Sequence, residues 1–202
     1  MSYAEAAELA YFGAKILHPL CVRPARHAQV PIRLLNTLNP DAEGTLIHSE
    51  DISASSGPKA VAAKDGLIAI NIRSSHMLMA YGFLRKIFEV FEANKTPVDM
   101  ITTSEVAVSL TIDDATNLDQ IIADLQHFST VTVDKNQTII CVVGAFRKDD
   151  NGIAVQVLNP LKHIPIRMIS SGGSESNISI LIDSHYKQQA LEALNQRLFN
   201  QG

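Results

Sequence analysis

The chain has 202 residues, enough for one domain of ordinary size or two small ones. Hydrophobic residues make up 46% and charged residues 19%, so a core can be buried and wholesale disorder is excluded. Lys plus Arg number 17 against 21 Asp plus Glu, for a net charge of -4; with 5% aromatics and no Trp, both the electrostatic footprint and the stacking rings of a nucleic-acid binder are missing.

No run of 18 apolar residues occurs, so no membrane span is expected. Residues 1–20 are apolar but carry Glu5 and Glu8 and no basic leader, which reads as an amphipathic helix and not a signal peptide. Cys21 and Cys141 lie far apart and fit a reducing cytoplasm better than a disulfide framework. The histidines show no HExxH or paired-ligand spacing, so no metal site is expected.

In chain order, Ser2 with Glu5 forms a capping box before a helix over 3–12. A second helix follows over about 19–28, then a strand over 30–35 and a turn-rich loop over 36–44. Residues 1–48 hold too few elements to close a core alone and read as the tail of a larger domain. Residues 49–58, SEDISASSGP, have linker composition.

The remainder contains an internal repeat. Residues 96–103, TPVDMITT, match 164–171, IPIRMISS, and 108–113 match 178–183. The offset of about 70 residues makes each copy a small domain and not a solenoid unit. The first copy reads as a strand over 67–73, a helix over 82–94, strands from Pro97 and over 106–112, a helix over 118–128 and a strand over 131–135. The second reads as a strand over 138–144, a helix over 152–161, strands over 166–170 and 177–182, and a helix over 186–199. The class is α+β, with two ferredoxin-like βαββαβ modules. The second copy lacks a closing strand, while residues 59–63 form a spare one before the first. Giving that strand to the second copy completes both sheets, so the first module (64–136) is expected to be inserted in the second (59–63 and 137–202).

Three strings, 12–19 (FGAKILHP), 36–47 (NT through GTLI) and 98–106 (VDMITTSEV), together resemble aspartate kinase, the last most like its lysine-sensitive class. The resemblance runs from Ser2 to Phe199. It covers the end of the α/β amino-acid kinase domain (1–48) and the tandem ACT regulatory domains. It implies that the parent enzyme phosphorylates aspartate with ATP and Mg²⁺, and that this region binds an amino-acid effector, L-lysine, as a homodimer through its ACT modules. It also implies an N-terminal kinase domain as partner. By resemblance to the FGAKxLHP motif, Lys15 belongs to the parent's nucleotide site; a solvated lysine past a helix end is the other reading. No GxxxxGK[ST] cradle is present, so no catalytic residue and no cofactor are assigned to this stretch. The Gly-rich run 170–174 lies between two strands and reads as a hairpin turn.

Free lysine carries one carboxylate and two ammonium groups. A helix N-terminus supplies amide donors for the carboxylate, and Gly82-Phe83-Leu84 opens a helix with no Cβ at its tip. Asp99 and Glu105 are candidate ammonium partners, with Thr103 and Ser104 as hydroxyl donors. Met77, Val98 and Val106 can line the methylene stem or belong to the core. Ala80, followed by Tyr81, stands where bacterial lysine-sensitive relatives carry Ser-Arg, which removes one hydroxyl. At the position of Asp99 the second module has Arg167, so the first module is expected to bind the cationic effector. Glu8 is a candidate for the contact between kinase and regulatory parts, but an ordinary exposed helix acid is the favoured reading. The competing reading is a free-standing amino-acid-binding or dimerisation subunit; residues 1–48, which resemble leftover kinase structure, weigh against it.

Overall fold

Ser2 accepts from the Glu5 amide at 3.1 Å and Glu5 Oε2 accepts from the Ser2 amide at 2.8 Å, closing the capping box that starts α1 (Tyr3–Tyr11). A computed structural model describes residues 1–14, 17–49, 56–74, 81–147 and 150–199. α2 (Pro19–Ala28) opens with Pro at its first position, where the missing N–H is not needed, and ends at Gln29 in the left-handed region. β1 (Ile32–Leu34) pairs with β2 (Thr45–Ile47), a strand absent from the sequence reading because its three residues are too few to show a period. Tyr3, Ala6, Val22 and Ile47 make a small core between these four elements.

The strands then form one six-stranded antiparallel sheet in the order β4-β5-β3-β6-β8-β7. They are β3 (Gly57–Arg73), β4 (Met100–Thr103), β5 (Ala107–Ile112), β6 (Thr130–Ala145), β7 (Ile166–Ser171) and β8 (Asn177–Asp183). α3 (Phe83–Ala93), α4 (Leu118–Gln126) and α5 (Ile153–Leu158) lie between strands, and α6 (Lys187–Leu198) follows the last one. β3 begins inside the stretch read as linker, with Pro58 opposite Gly144.

Where the sequence reading sees four separate strands, the structure has two long ones. The first half of β3 pairs with the second half of β6 (Ala60 with Val143, Lys64 with Ile139), and the second half with the first (Ile70 with Val133, Arg73 with Thr130). Residues 59–63 therefore close the second module, and the first is inserted in it. The gap that hid this continuity is a pair of bulges. Asp65-Gly66 adds one residue to β3, with Gly66 at φ 78°, and Lys135-Asn136 adds one to β6, with Asn136 at φ 57°.

One extra residue inverts the alternation of a strand. On β3, Val61 and Ala63 pack among the helices of the second module, whereas Ile68, Ile70 and Ile72 pack among those of the first. On β6 the switch is from Val131 and Val133 to Ile140 and Val142. Because both strands switch, all four helices cover one face. The opposite face carries a third core of Ala62, Leu67, Ala69, Met100, Ile139, Cys141, Val143, Met168 and Leu181, covered by Leu9 of α1 and by Phe12, its C-cap. Among the described residues no helix is long and apolar enough to cross a membrane.

Candidate functional site

β3 and β4 run the same way, since each is antiparallel to β5. The end of β3, the start of α3 and the β4–β5 turn therefore gather at one end of the first module. Gly82 caps α3 at φ 78° and ψ 10°, with no side-chain cap, and among the described residues nothing lies within 4 Å of where its Cβ would be. The first amides of α3 have no acceptor within the helix. Phe83 is buried, with its ring edge-on to Phe128 at 5.8 Å, and Leu84 is partly exposed. Thr103 ends β4 opposite Val108. The Ser104 amide donates to Ala107 O at 2.8 Å, which closes a tight turn carrying the exposed Glu105. Val106 is partly exposed, and its carbonyl accepts from the Ser74 amide. Met77, Ala80 and Lys15 lie outside the described residues.

The other two expected lining residues are elsewhere. Val98 packs against the core of the first module. Asp99 precedes β4, so the length of that strand, about 13 Å for four residues, separates it from the Thr103 end. Within one chain Asp99 is therefore not beside Gly82 and Glu105, because they sit at opposite ends of β4.

The Asp99 side chain is only 2% exposed. Its Oδ1 accepts from the Tyr11 hydroxyl at 2.7 Å and from Lys64 Nζ at 2.8 Å, while Oδ2 is buried without a hydrogen-bond partner among the described residues. Lys64 also reaches Asp113 at 2.9 Å, and its Nζ lies 4.8 Å from the centre of the Tyr11 ring. Partial burial pushes the Tyr11 phenol up to about 12, helped by the Asp99 carboxylate that accepts its hydrogen bond. Burial opposes the charge on Lys64, but the Asp99 and Asp113 carboxylates outweigh it and raise the ammonium above its ordinary value.

This cluster sits at one side of a cleft of about 370 Å³ under α1, between the edge strands β4 and β7. Glu8, Tyr11, Asp99, Ser174 and Asn177 contribute to its wall. Glu8 accepts from Asn177 Nδ2 at 2.5 Å and Ser174 Oγ at 3.4 Å, so it ties α1 to the second module and is not the ordinary exposed helix acid that the sequence favoured. Glu5, 3% exposed, accepts from Lys59 of β3 at 2.6 Å. Of the 170–174 run, Ser170 and Ser171 end β7 and residues 172–174 begin the β7–β8 turn. Arg167, the counterpart of Asp99, pairs with Asp134 at 2.8 Å. Tyr11, Lys64 and Asp113 carried no local signal; they are 35 to 88 residues from Asp99 or from its partner, and only the fold joins them.

An ACT-domain family model matches residues 140–198. Aspartokinase 3, chloroplastic, of Arabidopsis thaliana is 34% identical over 98% of this chain and 37% of its own length. The crystal structure of E. coli aspartokinase III in complex with aspartate and ADP (R-state) superposes with a TM-score of 0.88 at 30% identity, over 98% of this chain and 46% of that one; its complex with lysine and aspartate (T-state) gives 0.83. A C-terminal regulatory domain of aspartate kinase from Porphyromonas gingivalis is 49% identical, with a TM-score of 0.64, over 70% of this chain and 97% of that one. The chain spans less than half the length of the curated relatives it matches.

Proposed function

The chain belongs to the aspartate kinase family, matching its C-terminal regulatory part, and we propose that it binds L-lysine at a dimer interface and thereby regulates a kinase that phosphorylates L-aspartate with ATP. The observation that carries the site is the glycine-capped tip of α3 beside the β4–β5 turn, on a module whose strand β4 lies at the edge of the sheet among the described residues. The amides of Phe83 and Leu84 receive the effector carboxylate, and the Glu105 carboxylate receives an ammonium. A twofold pairing of two β4 edges sets the strands antiparallel, which brings the Asp99 end of one copy beside the Gly82 tip of the other. It also removes two exposed edges. The separation of Asp99 from the tip within one chain is thus what a site shared between two chains requires. Lysine as the ligand draws on the E. coli neighbour, whose T-state contains it.

On this reading ATP and Mg²⁺ chemistry belongs to the N-terminal kinase part of the parent. The block before the sheet supports a parent of that kind over a free-standing subunit. Leu20, Val30, Leu35 and Leu38 are 71, 54, 57 and 93% exposed there, a face suited to packing against further protein.

A thermal-shift panel with L-lysine, L-threonine, L-methionine and S-adenosylmethionine tests the reading. At 100 times its dissociation constant L-lysine adds about 2.7 kcal/mol. For a chain of this size that is a rise of roughly 5–10 °C. No shift with L-lysine refutes it as the effector, and a monomer at every concentration in sedimentation refutes the shared site.

A further inference from the structure

We propose that Asp99 is a carboxylate with two competing sets of ligands: Tyr11 and Lys64 hold it closed in the effector-free subunit, and the effector ammonium displaces the Tyr11 hydroxyl and so loosens the C-terminal end of α1. The inference rests on the effector reading above and adds to it the element that responds.

Three observations carry it. First, Asp99 as it stands is out of reach, since its side chain is 2% exposed and Oδ2 is buried. A ligand arriving from a neighbouring subunit cannot touch it unless something moves. Second, the present arrangement is incomplete. Both donors go to Oδ1, and Oδ2 has none among the described residues. A buried carboxylate oxygen without a donor is costly, and an ammonium with three N–H groups can fill that vacancy where one hydroxyl cannot. Third, the movable partner is Tyr11. Its ring is 47% exposed, it is the last residue of α1, and a single hydroxyl joins it to Asp99. Lys64 is anchored more firmly, by Asp113 as well as Asp99.

The release is local. Glu5 remains on Lys59 and Glu8 on Asn177, and Leu9 and Phe12 remain in the core under α1. Just past Tyr11, however, Gly13 lies so close to β3 that a Cβ there would stand 2.3 Å from the Ala63 carbonyl oxygen. The chain therefore leaves α1 in direct contact with the residue before Lys64, and a change at Asp99 is felt where α1 hands over to the segment that follows.

Linkage makes this testable. If the Tyr11 contact must break for lysine to bind, removing the contact in advance tightens binding. Calorimetric titration of L-lysine into the wild-type chain and Tyr11→Phe reads this directly, because phenylalanine keeps the ring and loses the hydroxyl. We expect affinity to rise about threefold to tenfold, the range of one hydrogen bond. Reciprocally, saturating L-lysine should speed hydrogen exchange at the Phe12 and Ala14 amides, which donate to Glu8 O and Leu9 O at the end of α1. Equal or weaker lysine binding in Tyr11→Phe, or slower exchange at these amides, overturns the switch and leaves the effector reading standing. Absence of lysine binding in both proteins overturns both.

Discussion

Deleting Gly66 should unfold the sheet, although replacing it should not. The residue contributes the extra step that lets Val61 and Ala63 face the same way as Ile68, Ile70 and Ile72. Without it, one half of β3 must turn its core side chains to the wrong face. If the second half turns, Ile68, Ile70 and Ile72 leave sites where they are 7, 0 and 0% exposed. At 1.5–3 kcal/mol per buried side chain the loss is roughly 5–9 kcal/mol, comparable to the whole stability of an ordinary domain. If the first half turns, Lys59 and Lys64 lose Glu5 and Asp99 instead. Gly66→Ala keeps the residue count. Its Cβ meets nothing within 4 Å, and only the backbone at φ 78° resists, at about 1–2 kcal/mol. Urea denaturation followed by circular dichroism compares the two variants. A deletion variant that unfolds cooperatively at the same urea concentration as Gly66→Ala would refute the claim that the bulge sets the facing of both cores.

The cluster at Asp99 should also make the protein sensitive to alkali. The Tyr11 phenol titrates near 10 when unfolded and near 12 when folded, so its contribution is fully present below about pH 10 and is lost as pH rises through 12; the raised Lys64 ammonium acts in the same sense. With Tyr11 47% exposed, solvent screening reduces the effect to about 1 kcal/mol, and Tyr11→Phe should lose less stability than wild type between pH 9.5 and about 11.5 in urea titrations. A wild-type chain whose stability is flat over that range would contradict the geometry of the cluster. The two thiols should differ sharply: burial pushes Cys141 up to about 12, whereas Cys21 is exposed. Ellman's reagent at pH 8 should therefore titrate one thiol in the folded chain and both after denaturation, and rapid reaction of both would argue against the burial of Cys141.

Periodicity reveals an element when the pattern is unbroken over its length. The apolar face of α3 and the alternation of Ile68, Ile70 and Ile72 were legible for that reason, as was the capping box at Ser2. β3 and β6 were each read as two strands because the bulges invert the alternation midway, and an inverted pattern is indistinguishable in one dimension from a break. Counting strands against the βαββαβ order still recovered the exchange of residues 59–63, since topology constrains what local signals leave open. At the candidate site, Gly82 and the turn over 103–106 were legible as local chemistry. The burial of Asp99 was not, because it depends on Tyr11 and Lys64, which are distant in sequence and individually unremarkable surface types.

α1 makes this arrangement more than two modules side by side. Its polar residues at 5, 8 and 11 reach Lys59 of β3, Asn177 of β8 and Asp99 before β4, so one helix is tied to both modules and near both edges of the sheet. Its Tyr3 and Ala6 pack into the separate core formed with α2 and the β1–β2 pair. Any change in how α1 sits on the sheet must therefore be shared with that block. The ties are unequal. Glu5 is buried, pairs with Lys59 and shares a capping box, Glu8 is held by two donors, and Tyr11, 47% exposed, has one hydroxyl hydrogen bond and a Lys64 ammonium 4.8 Å from its ring. The weakest tie is the one that ends on the carboxylate an amino-acid ammonium would seek. A modest binding free energy spent there can move the end of α1, whereas the same energy applied at Glu5 would be opposed by a buried ion pair and a helix cap together.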